Sequence, residues 1–348
     1  MRGKHFSLIR HFLALCGRVS PPNQACLLPI FAVSSLLSFV SQSFAGMVTF
    51  GSGGSQFQME FATIGHPGNA ADTTGAPNPA GSVGYVYGIG KYEVSEVMID
   101  RYNASQPGGV LQITKDTRGP NKPATNISWN EAARFVNWLN TSTGSFAAYK
   151  FTTGGVNDDI ALWTVSDTLD YDASNPYRSK RARYSLPSYN EWYKAAYYNP
   201  NDSTYCNFPN GSNLAPLAVA SGTADNTAVY NGQSGPADVD QAGGLSPYGV
   251  MGLGGNVVEW EENSFDLANS INSYAREGRG GNWSNLAVDL SSASRYSELP
   301  SIGSSGRGFR VASLSSSDGG QVPEPNSMAI FGLGALSMAY WARRKAKA

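Results

Sequence analysis

The chain has 348 residues, with 25 Lys and Arg against 26 Asp and Glu, 39 Gly and 19 Pro. The formal net charge is −1, but eight of the basic residues lie at the two ends, and the acidic balance of the remainder provides no electrostatic footprint for a phosphate backbone or an anionic membrane, so nucleic acid is set aside as a partner. Of the three Cys and three His, only Cys206 and His66 lie beyond residue 45, too few for the four ligands of a structural zinc site.

Arg2, Lys4, Arg10 and Arg18 precede an apolar run from Cys26 to Val40, and Ser43-Phe44-Ala45 puts small residues where a signal peptidase reads. This predicts a signal peptide over 1–45. The competing reading is an uncleaved anchor, against which stands a run shorter than the ~20 residues a span needs. Cys16, Cys26, His5 and His11 leave with the leader, so Cys206 and His66 are the only thiol and imidazole of the exported domain. An internal disulfide is then excluded, and Cys206 reads as a small packed residue.

The domain, 46–321, opens with a strand over Gln58–Ile64, where apolar and polar residues alternate. Tyr85–Val94 reads as a strand pair with a glycine bend, followed by a short helix from Glu96 to Asn103. Two further helices carry capping boxes, Ser128-Trp-Asn-Glu131 and Ser188-Tyr-Asn-Glu191. The first has Trp129, Ala132, Ala133, Val136 and Leu139 on one face, and the second turns Trp192, Ala195 and Ala196 inward.

Between these helices, residues 141–183 read as an insertion, a solvated and aspartate-rich loop suited to partner recognition. Its acids lack the ordered spacing of a calcium loop. From Asn199 to Pro247 the composition predicts a long irregular region held by turns. Then come Gly-Gly-Asn-Val-Val-Glu-Trp (254–260), Arg-Gly-Gly-Asn-Trp (279–283), Arg295 and Gly-Phe-Arg-Val-Ala (308–312).

The chain closes with Val322-Pro323-Glu324-Pro325, an apolar stretch over 327–341 and a basic cluster of Arg343, Arg344, Lys345 and Lys347. This resembles a PEP-CTERM sorting signal over 322–348. The apolar part, about 15 residues, is short for a membrane span. Positive residues stay cytoplasmic, which leaves the domain outside. The resemblance implies an exosortase as partner, the alternative being a permanent tail anchor. Taking four basic residues from each end of the 25, and Glu324 from the 26 acids, leaves 17 against 25, so the exported domain is acidic.

The ordered motifs, together with Lys91-Tyr-Glu-Val-Ser95, Ser-Trp-x-x-Ala and Leu-Pro before the second capping box, resemble the formylglycine-generating enzyme family, or sulfatase-modifying factors. That resemblance implies an α+β domain of the C-type-lectin-like fold with much irregular structure. It also implies a copper-dependent oxidation resting on two cysteines after the Gly-Gly-x-aromatic turn. Here those positions read Ser284-Asn-Leu-Ala-Val-Asp289, so copper is not expected, since Cu(I) wants thiolates. Calcium is the other cofactor implied. One site would use backbone oxygens of Gly255 and Val257 and the Glu259 carboxylate, and a second would begin at Asn226. Gly252 stands where the first site has an amide or acid ligand, so one oxygen is lost. The alternative for Glu259 is a buried carboxylate that orders its loop without metal.

Tyr248, Trp260, Trp283, Arg295 and Arg310 fall in or beside the matched motifs and suit a glycan or peptide ligand, with core packing and internal ion pairs as the alternative. The reading is therefore an exported binding or structural protein without catalytic residues. Its runner-up is an enzyme using Glu259, Glu261 and Glu262, although adjacency makes the last two look solvated.

Overall fold

The computed structural model describes residues 46–314. The expected signal peptide, the sorting signal and the apolar segment 327–341 lie outside the described residues. Among the described residues no helix is long and apolar enough to cross a membrane.

An antiparallel hairpin, β1 (Gly46–Phe50) and β2 (Phe57–Ile64), opens the domain and pairs Gly46 with Phe61 through Phe50 with Phe57. Tyr87–Gly90 forms β3 against β2, and α1 runs Glu96–Ala104. The expected strand pair within Tyr85–Val94 is therefore one short strand, whose partners come from elsewhere in the chain. Both capping boxes are formed. Ser128 Oγ accepts from Glu131 N at 3.1 Å while Glu131 Oε2 accepts from Ser128 N at 2.8 Å, opening α2 (Trp129–Ser142). After β4 (Tyr184–Ser185), Ser188 and Glu191 repeat the exchange at the start of α3 (Tyr189–Tyr197). Such a cap contributes about 1 kcal/mol and fixes where each helix begins.

The region after α3 is irregular, as its composition predicts, with only the two-residue ladders β5 (Tyr198–Asn199) with β6 (Thr204–Tyr205) and β7 (Leu217–Ala218) with β8 (Thr227–Ala228). Beyond it lie β9 (Val258–Ser264), β10 (Arg276–Arg279), β11 (Tyr296–Glu298), β12 (Arg307–Phe309) and β13 (Ala312–Ser313). The longer sheet orders β1-β2-β3-β13-β4, and the other β11-β10-β9-β12.

Two cores form around the helices. The α2 face packs with Trp260, Phe309 and Val311, while α3 packs Trp192, Ala195 and Ala196 against Ile64, Tyr87, Ile89 and Leu253. The segment 141–183 departs from the solvated loop expected of it. Ala148, Tyr149, Ile160, Tyr177 and Ala182 join the α2 core, because burying their apolar surface outweighs the exposure of the polar residues between them. Its acids also find local partners, Asp167 with Lys150 and Asp170 with Arg181, each at 2.9 Å.

Candidate functional site

The four-stranded sheet carries the motifs, and its alternation sorts their side chains to opposite faces. Glu259 and Glu261 on β9, Glu277 and Arg279 on β10 and Arg310 just past β12 share the face toward α3. Val258 and Trp260, Gly278, Tyr296 and Arg307 share the face toward α2, in register across the strands.

On the α3 face each arginine stands against a carboxylate. Arg310 forks onto both oxygens of Glu259, with Nε to Oε2 at 2.5 Å, and Trp192 Nε1 donates to the same Oε2 at 2.7 Å. The rest of its guanidinium donates to the carbonyls of Gly90 (2.8 Å) and Met251 (2.9 Å). Arg279 Nη2 donates to Glu277 Oε1 at 2.8 Å, Arg279 Nε stands 3.1 Å from Glu261 Oε1, and Arg295 makes a bidentate pair with Glu277 at 2.7 and 2.9 Å. Burial works against the charge of Arg310 and Arg279, yet the carboxylates outweigh it and leave both pKa values raised. Burial, reinforced by the charge of Glu277, pushes the Glu261 carboxyl well up.

These contacts overturn several expectations. Trp260 and Arg310 have no exposed surface, so neither touches a ligand; Trp260 instead donates Nε1 to Ile127 O at 2.9 Å. Arg295 is committed to Glu277 and to Phe265 O. Glu261 and Glu262 are fully buried rather than solvated, because Arg279 and Arg178 accompany them into the interior. They also point to opposite faces, so the carboxylates of Glu259, Glu261 and Glu262 do not converge on one accessible point. Cys206 is buried, and burial pushes its thiol pKa up.

Calcium at the Glu259 position does not fit the residues present. The carboxylate that would hold it is neutralised by Arg310, and Gly252 contributes no side chain. A Cβ at Gly252 would lie 2.5 Å from Glu93 Oε1, so the glycine makes room for a second carboxylate, which also feels the charge of Arg310. Glu93 is buried, accepts from Asn256 Nδ2 at 2.9 Å through Oε1, and has its pKa pushed up by burial to about 8. Gly255 is demanded by the backbone instead: its φ is 85°, and a Cβ there would strike Val229 O. Asn226 is exposed at a left-handed turn, with its side chain near only that of Asn210, at 3.5 Å.

The α2 face is different. Arg307 is 8% exposed and lays its guanidinium 4.3 Å from the Trp260 ring centroid. Its Nε and Nη1 are buried without a hydrogen-bond partner among the described residues. Burial lowers its pKa, and only the more distant charges of Glu298 and Tyr296 work the other way. A Cβ at Gly278 would stand 3.1 Å from Val258 Cγ1 and 3.2 Å from Glu259 O, so the glycine serves the close approach of β9 and β10. A guanidinium is always charged, and leaving one buried without an anion costs several kcal/mol. Stacking on Trp260 returns about 2 kcal/mol at most.

Gly306, the residue before Arg307, adjoins the turn where the family places its cysteines. A Cβ at Gly306 would meet Asn282 Nδ2, which leads into a half-buried Trp283. Arg118 stacks on Trp283 at 5.0 Å and donates to Ser305 O at 3.1 Å. Asn282 Oδ1 accepts from Ser284 N at 2.9 Å, and Asn285 Oδ1 from Asn282 N at 2.8 Å, closing the turn with amides. Tyr248 belongs to another neighbourhood, half-buried beside Tyr198 at 6.4 Å and near His66. Of the five aromatic and arginine candidates, the structure therefore leaves Trp283 and Tyr248 at the surface, and they do not share one patch. Arg118 and Arg307 were missed because neither lies within a motif. Arg307 directly precedes Gly-Phe-Arg-Val-Ala, and only the structure reveals that no acid reaches its guanidinium.

The fold, with its two short capped helices, curled sheets and long ordered loops, defines an α+β domain of the C-type-lectin-like class. The chain matches the sulfatase-modifying factor enzyme 1-like domain over residues 41–314 and belongs to that family. A PEP-CTERM protein-sorting motif follows at residues 321–345 and marks an exported protein of the cell envelope. Among solved structures, Treponema denticola variable protein 1 is similar at 20% identity, covering 77% of this chain and 98% of that one, with a TM-score of 0.51. CarF is similar at 18% identity, covering 73% and 98%, also with a TM-score of 0.51. No curated protein matches the chain in sequence.

Proposed function

We propose that this exported protein is a binding protein of the cell envelope or extracellular matrix that has given up its family's oxidation chemistry and uses the surface around Trp283 for a glycan or peptide. One observation carries the reading. Where the family places its thiols, residues 284–289 offer none, and the turn is instead closed by Asn282 and Asn285 beside an aromatic ring with an arginine stacked on it. A two-thiolate copper site cannot be assembled from Cys206 alone, and a buried thiol with a raised pKa is a poor ligand and nucleophile. An aromatic face flanked by amides and guanidinium suits recognition. Signal peptidase and an exosortase are its partners during export.

The test is a glycan and peptide array probed with the purified full-length chain and with Trp283→Ala. Retention of a ligand by the wild type and its loss in the variant is the expected outcome. Formylglycine formed from a sulfatase peptide in the presence of copper and oxygen would overturn the reading.

A further inference from the structure

The insertion 141–183 buries its inner side chains in the α2 core, yet it also carries three large apolar residues in water: Phe146 is 47% exposed, Val165 75% and Leu169 63%. One arginine ties them together. Arg181 lays its guanidinium 3.7 Å from the Phe146 ring centroid and pairs at 2.9 Å with Asp170, the residue after Leu169. The turns that carry Val165 and Leu169 follow one another, closed by Asp167 N on Thr164 O (2.8 Å) and Asp170 N on Asp167 O (2.9 Å). Lys180 reaches the same loop and donates Nζ to Thr168 O at 3.1 Å. The run Arg178-Ser-Lys-Arg-Ala-Arg183 holds four bases and no acid, in a domain that is acidic as a whole. The nearby acids are already engaged, Asp167 by Lys150, Asp170 by Arg181 and Asp172 by Ser174. Lys180 and Arg183 are exposed and meet no carboxylate among the described residues; Arg183 only overlies the Tyr184 ring at 5.5 Å.

The chain leaves the domain at this place. Leu314, the last described residue, donates its N–H to Arg183 O at 2.7 Å. Twelve residues, 315–326, separate it from the apolar stretch 327–341 inside the sorting motif, and twelve residues span about 40 Å at full extension. For as long as that stretch lies in a bilayer, the end of the domain at Arg183 is the end tethered to lipid. We propose that Phe146, Val165 and Leu169, with Lys180 and Arg183, form a face that docks on an anionic lipid surface. The apolar side chains enter the boundary between headgroups and acyl chains, and the long Lys and Arg stems carry their charges back to the lipid phosphates. The acidic balance of the domain does not oppose this, because salt confines the interaction to charges within about 10 Å of the surface. The tether makes docking intramolecular and raises the effective concentration of lipid at this face. A protein could cover the same apolar tips, but the exit point of the chain and the two unmatched bases favour lipid. The inference goes beyond the reading at Trp283 and holds whether or not that surface takes a ligand.

The test is photo-crosslinking of the full-length chain, reconstituted in vesicles of phosphatidylethanolamine and diazirine-bearing phosphatidylglycerol, with labelled peptides identified by mass spectrometry. Peptides of 141–183 should be labelled about fivefold more than those of 199–247, which serve as the control from the same domain. Lys180→Glu combined with Arg183→Glu should lower labelling of the insertion about threefold and leave that of 327–341 unchanged, so a weakened tether is not the cause. Both side chains are exposed and unpaired, so the melting temperature stays that of the wild type. Leu169→Ser should act in the same direction through the apolar part alone. Replacing phosphatidylglycerol by diazirine-bearing phosphatidylcholine should reproduce the effect of the charge reversal. An insertion labelled no more than 199–247, as a face reserved for a protein would be, overturns the proposal. Labelling untouched by the double variant or by the change of lipid overturns it equally.

Discussion

The two faces of the four-stranded sheet handle buried charge in opposite ways. Toward α3, Arg279, Arg295 and Arg310 each meet a carboxylate, and the pKa values of Arg279 and Arg310 rise. Toward α2, Arg276 and Arg307 lie on aromatic rings, and burial lowers both pKa values. Arg276 still donates to Asn272 O and Tyr274 O, whereas Arg307 donates to no described group. One face thus uses arginine to hold the fold together. The other rests a guanidinium on an aromatic ring with no acid in reach.

The largest expected effect breaks the paired face. Arg310→Met leaves Glu259 buried without its partner and should cost about 3–5 kcal/mol in denaturant unfolding. A loss below about 1 kcal/mol would show that the pair does not hold the sheet.

A pH titration sharpens the same face. Glu93 ionises at about 8 in the folded chain against an ordinary 4.5, so the unfolded state releases its proton first. Stability from this group is complete below about pH 4.5 and is lost as pH rises toward 8, by an amount on the order of a few kcal/mol. Lys194, lowered by burial to about 8 from 10.5, acts in the opposite direction, and its contribution grows from pH 8 to 10.5. Melting temperature should therefore fall between pH 5 and 8 and recover above 8. Glu93→Gln should flatten the first limb and Lys194→Met the second; a first limb unchanged in Glu93→Gln would remove Glu93 from the account.

On the unpaired face the sign reverses. Arg307→Met should stabilise by about 1–2 kcal/mol, since the variant no longer buries an unmatched charge. Destabilisation of similar size would mean that Arg307 is structural after all. The smallest effect concerns calcium: with Arg310 already on Glu259, chelator or millimolar calcium should move the melting temperature by less than about 1 °C. A shift of several degrees would restore the metal site.

Local rules made much of this legible. Ser128 with Glu131, and Ser188 with Glu191, announced two helices because a capping box is a short-range device whose partners sit three residues apart. Gly-Gly-Asn-Val-Val-Glu-Trp announced the family, but neither the strand it leads into nor which way its acids face. Glu261 and Glu262 looked solvated because their counter-charges, Arg279 and Arg178, lie far away in the sequence. Tyr149 and Tyr177 hid in a polar segment for the same reason: their burial depends on α2 and β9, not on their neighbours. Arg307 is the limiting case, since what marks it is the lack of a partner across three strands.

The position of β13 sets an order of events. It lies inside the longer sheet, hydrogen-bonded to β3 through Ala312 with Ile89 and to β4 through Ala312 with Ser185. A chain threaded outward from its N-terminus delivers β1 to β4 long before the strand that joins them. The sheet stays split until the last turn of the domain has crossed, so its closure reports completed passage, and any pull on the segment beyond is borne by an interior strand flanked on both sides.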